Sequence, residues 1–156
     1  MLFLAIPLGL YLTCHVELPH RRLGLWEITG PGHKTFRACV GDVDSDTRLY
    51  RMDAGAIARG CGEPNIRASR RAVTIDQECP RNRDQREVEI TVVTFQNDTA
   101  YRFIYATRSP PQGLAVVSTP LIYDGRWLGQ CPMSMKPGDV LTPDGKLVDE
   151  SALYLR

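Results

Sequence analysis

Five cysteines carry the most varied chemistry open to this chain: nucleophile, metal ligand or crosslink. Cys14 sits in an apolar N-terminal run, while Cys39, Cys61, Cys79 and Cys131 are spread through the remainder. A thiolate nucleophile needs a base beside it. Of the three histidines, His15 and His20 fall in or next to the apolar run, and His33 lies in the turn "TGPGHK". A zinc site wants closely spaced pairs such as C-x-x-C, and the sequence has none. Crosslinking is the chemistry that remains, and four cysteines behind an export-type leader favour two disulfides. Three pairings are open to them. The stretch "CGEPNIRASRRAVTIDQEC" opens and closes with Cys around a polar middle. Folded as a hairpin, it would set Cys61 opposite Cys79 at its open end. Cys39 would then pair with Cys131 and tie the first strands to the late segment. In the chain-entropy view the short loop contributes about 3 kcal/mol and the long one about 4 to 5 kcal/mol.

Other reactive constellations are thinner. "DVDSDTRLYRMD" sets Asp42, Asp44 and Asp46 at alternate positions with Asp53 twelfth, as in part of a calcium loop. An EF-hand needs Gly sixth and a bidentate Glu last, where this chain has Thr47 and Asp53. Helix capping accounts for the same carboxylates without metal. Glu87 and Glu89 share a strand face, but a glycosidase pair also needs a cleft. Ser118, Ser134 and Ser151 lack a G-x-S-x-G elbow and a late His to serve as base. No Gly-rich phosphate loop is present. The expectation is therefore no catalytic residue, no metal and no cofactor.

Two sets of residues suit binding. Tyr101, Phe103 and Tyr105 form an aromatic stripe on one face of a strand, which reads as core or, if the sheet curves, as the lining of an apolar pocket. Arg126 and Trp127 in "DGRWLGQCP" read as a surface anchor, or more simply Trp127 covers the nearby disulfide. Arg59, Arg67, Arg70, Arg71, Arg81, Arg83 and Arg86 make the middle of the chain basic, interleaved with Glu63, Asp76, Glu78 and Asp84. A solvated hairpin surface explains them; a contact with an anionic envelope component is the sharper reading. The net charge of +1 gives no overall field toward nucleic acid.

These residues need elements to hold them. "RLGLWEITG" reads as a strand with Trp26 and Ile28 on one face and Leu25, Glu27 and Thr29 on the other. "KTFRACV" is its hairpin partner across the turn "GPG". Asp44 or Ser45 can cap a helix whose Leu49, Met52, Ala56 and Ile57 recur at helical spacing and which Gly60 ends. Ile66 and Ala68, then Val73 and Ile75, read as a hairpin about "SRR". "REVEITVVTF" and "AYRFIYATR" form another about "QND", with Val88, Ile90 and Val92 on one face against Glu87, Glu89 and Thr91. In "LAVVSTPLIYDGRWLG" the first half reads as a strand, and "KPGD" and "TPDG" are turns before a short tail. The expected fold class is α+β: a mainly antiparallel β-sheet of five to eight strands with one packed helix and two disulfides. Consecutive hairpins also permit a curved, partly closed barrel.

Residues 1–17 read as a signal-like leader and residues 18–156 as a single disulfide-stapled domain. The run Leu2–Thr13 is too short to span a bilayer as a helix and is broken by Pro7 and Gly9. It lacks a preceding basic residue and a following A-x-A site, as a truncated leader would. A lipid anchor at Cys14 is the alternative, although Tyr11, Leu12 and Thr13 fit a lipobox poorly.

The start "LPHRRLGLWEIT", "ACV" leading into a helix, the Cys61 and Cys79 bracket, and "RWLGQCP" followed by "MKPGD" together resemble the bacterial exported family known only as domain of unknown function 3617. The resemblance runs from about Leu18 to Asp139. It implies a small exported domain with disulfides and supplies neither an activity nor catalytic residues. The expected function is a non-catalytic periplasmic or secreted domain that binds a partner protein, an envelope component or a small apolar ligand. A structural or stress-related envelope factor is the alternative, and a carboxylate-based hydrolase the second. Non-reducing peptide mapping should recover a Cys61–Cys79 crosslinked peptide; a Cys39–Cys61 link would defeat the hairpin argument.

Overall fold

The computed structural model describes residues 18–41, 49–50, 59–110, 114 and 116–149. They build one ten-stranded sheet in which each paired strand runs antiparallel to its neighbour. The first hairpin joins β1 (Gly24–Thr29) to β2 (Thr35–Val40). A meander follows, of β3 (Asn65–Ala68), β4 (Ala72–Pro80), β5 (Arg86–Asn97) and β6 (Ala100–Ser109). The short β7 (Val116–Val117) pairs with the end of β6. The chain then returns as β8 (Leu121–Gly129), which enters between β6 and β1. A last hairpin, β9 (Asp139–Leu141) and β10 (Leu147–Asp149), adds to the far side of β2. The order across the sheet is β10-β9-β2-β1-β8-β6-β5-β4-β3.

β8 is thus the seam between two separately formed hairpin systems. Its Asp124–Gly129 half pairs with β1 and its Leu121–Arg126 half with β6. The first half of "LAVVSTPLIYDGRWLG", read as a strand, supplies the two paired residues Val116–Val117, and the long strand lies beyond Pro120 in the half the sequence left open. Proline cannot donate to a ladder, so it divides the two.

A sheet buries one face only by meeting another layer or by coiling on itself. Here one cluster unites Trp26 and Ile28 of β1, Ala38 and Val40 of β2, Val73 and Ile75 of β4, Val93 and Phe95 of β5, Tyr101 and Phe103 of β6 and Val140 of β9. Strands from nearly the full width of the sheet share that cluster, so the sheet coils around it. It stays open, since β3 and β10 end the strand order without pairing to each other.

The α+β expectation is overturned. The described residues hold ten strands and no α-helix, a nearly all-β arrangement, and the strand count exceeds the five to eight expected. Most of the helix expected between Asp44 and Gly60 lies outside the described residues, as do the calcium-like carboxylates Asp42, Asp44, Asp46 and Asp53 and the leader with Cys14. Leu49 and Tyr50, which are described, form a 3-10 turn and are buried in the sheet's own core. Leu49, the described member of the expected helix face, thus packs in the core of a coiled sheet. The extra strands β7, β9 and β10 are two or three residues long, too short to show a two-residue period.

β5 also places its faces in an unexpected way. Val88, Ile90 and Val92 do share a face, but it is the one opposite the core cluster, where Val88 is still buried and Ile90 and Val92 are half-buried. Thr91 and Glu89 turn inward with Val93 and Phe95, and both are buried. The register decides this: Val93 stands opposite Val73 on one side and Phe103 on the other, all with their side chains in the core.

Two glycines are required by close approach. Gly24 has φ +126°, and a Cβ there would lie 2.1 Å from the Gly129 carbonyl oxygen. Gly125, opposite Tyr101 in the β6–β8 ladder, would put a Cβ 2.1 Å from the Tyr101 ring. Gly125→Ala should therefore lower the urea-unfolding free energy by about 1–3 kcal/mol, the usual cost of overpacking. Gly62→Ala, whose added methyl meets nothing nearer than 3.7 Å, should change it by less than about 0.5 kcal/mol.

Candidate functional site

The segment before β1 is where the fold turns into a site. Both tryptophans hold it. Trp26 donates its indole N–H to the Arg22 carbonyl at 2.8 Å, and Trp127 donates its own to the Leu23 carbonyl at 3.0 Å. A buried indole N–H needs such a partner, so the two rings fix this backbone while they pack. Trp26 and Trp127 are themselves cross-strand partners on β1 and β8. The Arg22 guanidinium lies 3.9 Å over the Trp127 ring, and Arg21 is fully buried with its guanidinium 5.8 Å from the centre of the Tyr101 ring. Tyr50 donates its hydroxyl to the Pro19 carbonyl.

That anchored segment forms one wall of a cleft of about 570 Å³. Leu18, Pro19 and His20 face the β3–β4 turn, Ser69, Arg70 and Arg71, across it; Phe95, Asn97 and Asp98 contribute from the β5–β6 end. The turn is internally fixed. The Ser69 N–H donates to the Ala72 carbonyl at 2.8 Å, and the Ala72 N–H donates to the Ser69 hydroxyl at 3.1 Å. The Arg71 carbonyl accepts the Phe95 N–H at 2.7 Å. Asn97 Oδ1 accepts the Thr99 N–H at 2.8 Å and closes the neighbouring hairpin. The cleft therefore sits on ladder ends whose backbones are pinned, with an apolar wall and floor and a cationic rim.

Most arginines of the described surface are matched to acids, and those of the rim are not. Arg22, Arg37, Arg59, Arg67, Arg86, Arg102 and Arg126 each pair with a carboxylate. Arg102 grips Asp124 with two hydrogen bonds, at 2.7 and 3.0 Å, and these hold the Asp124 carboxyl below its ordinary pKa. Arg70 and Arg71 have no carboxylate partner among the described residues. The one acid in the cleft, Asp98, lies 3.5 Å from Arg22.

The basic middle of the chain is thus not one patch. Arg67 and Arg86 are neutralised on the outer sheet face by Asp76 and Glu78. Arg70 and Arg71 stand at the start of β4, and Arg81 and Arg83 beyond its end. Nine strand residues put these two groups about 30 Å apart.

The residues singled out from the sequence are dispersed. Tyr101 and Phe103 are 2% exposed and belong to the core, with Tyr101 rings 5.2 Å from Trp26 and 6.0 Å from Phe95. Tyr105 packs against the same cluster. Arg126 points outward to Glu27 at 2.9 Å, whereas Trp127 turns to the opposite side. Successive strand residues alternate faces, so these two do not make a single anchor. Trp127 shares a recess of about 480 Å³ with Cys39, Cys131, Arg22 and Met135. Leu18, Pro19, His20 and Phe95 had no site role in the sequence reading, because nothing local links a segment before β1 to turns that follow β3 and β5.

The cysteines occupy two positions in this frame. Cys39 of β2 and Cys131, just past β8, form a disulfide with Cα atoms 5.6 Å apart, 92 residues apart in sequence. Cys61 and Cys79 form the other, with Cα atoms 4.1 Å apart. The Gly62 N–H donates to the Glu78 carbonyl at 2.8 Å, which extends the β3–β4 hairpin up to this second crosslink. Cys39 and Cys79 are both buried.

No curated protein and no solved structure shows a significant match to the chain. The model of one family, described as protein of unknown function (DUF3617), matches residues 21–131, a span that includes both cysteine pairs, most of the sheet and much of the cleft. The chain belongs to that family.

Proposed function

We propose that this chain is a non-catalytic exported domain, periplasmic or secreted, that binds an envelope component or small ligand in the cleft between Leu18–His20 and Ser69–Arg71. The observation that carries the reading is the cleft itself: a concavity of about 570 Å³ with fixed walls, apolar on one side and bearing arginines that the fold leaves without carboxylates. Its volume falls in the ordinary range of ligand sites.

Export is supported by the two disulfides, which persist in oxidising compartments. No helix among the described residues is long and apolar enough to cross a membrane. One of the two strand carboxylates that a hydrolase reading would pair is otherwise engaged. Glu89 is buried and holds Arg59 with both oxygens, at 2.6 and 3.3 Å, so its lone pairs are committed to an ion pair. The aromatic stripe that suggested an apolar pocket is consumed by the core. That moves the binding reading from Tyr101, Phe103 and Tyr105 to the mouth of the coiled sheet.

Native mass spectrometry of protein released gently from its own cells should find a bound non-protein mass. Ser69→Trp, which fills the cleft from an exposed turn, should lose that mass while keeping both crosslinks and a cooperative melt. Wild-type protein that carries no ligand, or a Ser69→Trp variant that retains it, overturns the reading.

A further inference from the structure

We infer that the cleft takes a phosphate ester, with Arg70 and Arg71 as its guanidinium clamp and His20 as a third polar contact; this rests on the binding reading above and names the class of ligand. Charge comes first. Seven arginines of the described surface are matched to acids; Arg70 and Arg71 are not, and unlike the equally unmatched Arg81 and Arg83 they line a cleft. Asp98, the acid nearest to them in the cleft, is paired to Arg22. Two guanidiniums side by side leave a local excess of two positive charges at the mouth of a cleft, against a net charge of +1 for the whole chain.

Ligand chemistry follows from that excess. A lone carboxylate carries one negative charge. A phosphate monoester carries about 1.5 to 2 at neutral pH and has three acceptor oxygens, enough for two planar forks at once. The Nδ1 atom of His20 is held 3.3 Å from the Arg21 carbonyl, so Nε2 is the ring nitrogen available to the cleft. Ser69 is committed to its own turn through Ala72 and is not part of the clamp. Leu18, Pro19 and Phe95 supply an apolar surface beside the rim, suited to the carbon skeleton that bears the phosphate. The pinned turns mean that little backbone ordering is needed on binding.

The same phosphate could belong to a soluble metabolite or to a lipid headgroup, and calorimetry with two probes separates them. Glycerol 3-phosphate tests the soluble source. Vesicles of phosphatidylcholine doped with phosphatidic acid, whose headgroup is a phosphate monoester, with pure phosphatidylcholine vesicles as reference, test the lipid source. Wild-type protein should bind at least one phosphate probe, and Arg70→Ala and Arg71→Ala should each weaken that binding about tenfold, as loss of a charge-assisted contact does. Arg81→Ala/Arg83→Ala, at the other end of β4, should leave it unchanged. Both rim arginines are exposed and make only backbone contacts to the fold, so their truncation should preserve the melt. Equal weakening by the two sets of variants would mean diffuse attraction and overturn the clamp, as would failure to bind either probe. A neutral mass found in the cleft by native mass spectrometry, with no response to either probe, would sink the phosphate assignment and leave the binding reading standing.

Discussion

The burial of Trp26 is the interaction on which the remaining structure depends. Its ring is fully enclosed, 5.2 Å from Tyr101, and its N–H is spent on the carbonyl of Arg22. Among the described residues the sheet's apolar face meets no second layer of helix or sheet. Trp26 supplies bulk at the centre of that face, and the strands to either side wrap toward it. Burying so large an aromatic contributes a few kcal/mol by area alone, a sizeable part of a small domain's net stability. The hydrogen bond adds direction: it decides where the chain before β1 runs, and so where one wall of the cleft stands.

The seam strand connects that core to the covalent frame. β8 zips the first hairpin to the meander, and Cys131 follows directly after it. The disulfide to Cys39 then locks β8 beside the strand pair it completes. Trp127 works from the same strand, donating to Leu23 and lying beneath Arg22. The quoted stretch "DGRWLGQCP" therefore combines four physical tasks: Gly125 clears space for Tyr101, Arg126 meets Glu27 outside, Trp127 holds the leading segment, and Cys131 fastens the end.

Much of this was legible before any coordinates. The alternation in "GLWEIT" is regular and the structure assigns its faces as read; in "AYRFIYATR" it holds through Phe103, after which Tyr105 is half-buried and Ala106 buried. The Cys61–Cys79 pair followed from local hairpin geometry, which is short-range and so visible in sequence. β5 was harder because its two faces are equally mixed: Val88, Ile90 and Val92 on one, and Glu89 and Thr91 beside Val93 and Phe95 on the other, with Arg59 satisfying the acid. Only its partners fix which face is in. The fold class failed for a related reason: Leu49, the one residue of the expected helix face that is described, serves a sheet core. The cleft was illegible because His20, Arg71 and Phe95 meet only once the sheet has coiled.

The long crosslink has a consequence for how the molecule is made. As a chain emerges N-terminus first, Cys39 meets Cys61 and Cys79 well before Cys131 exists to receive it. Oxidation in order of appearance yields the wrong partner, and the correct one closes across 92 residues only after β8 has docked. A chain oxidised in that order reaches the native pairing through thiol exchange after synthesis.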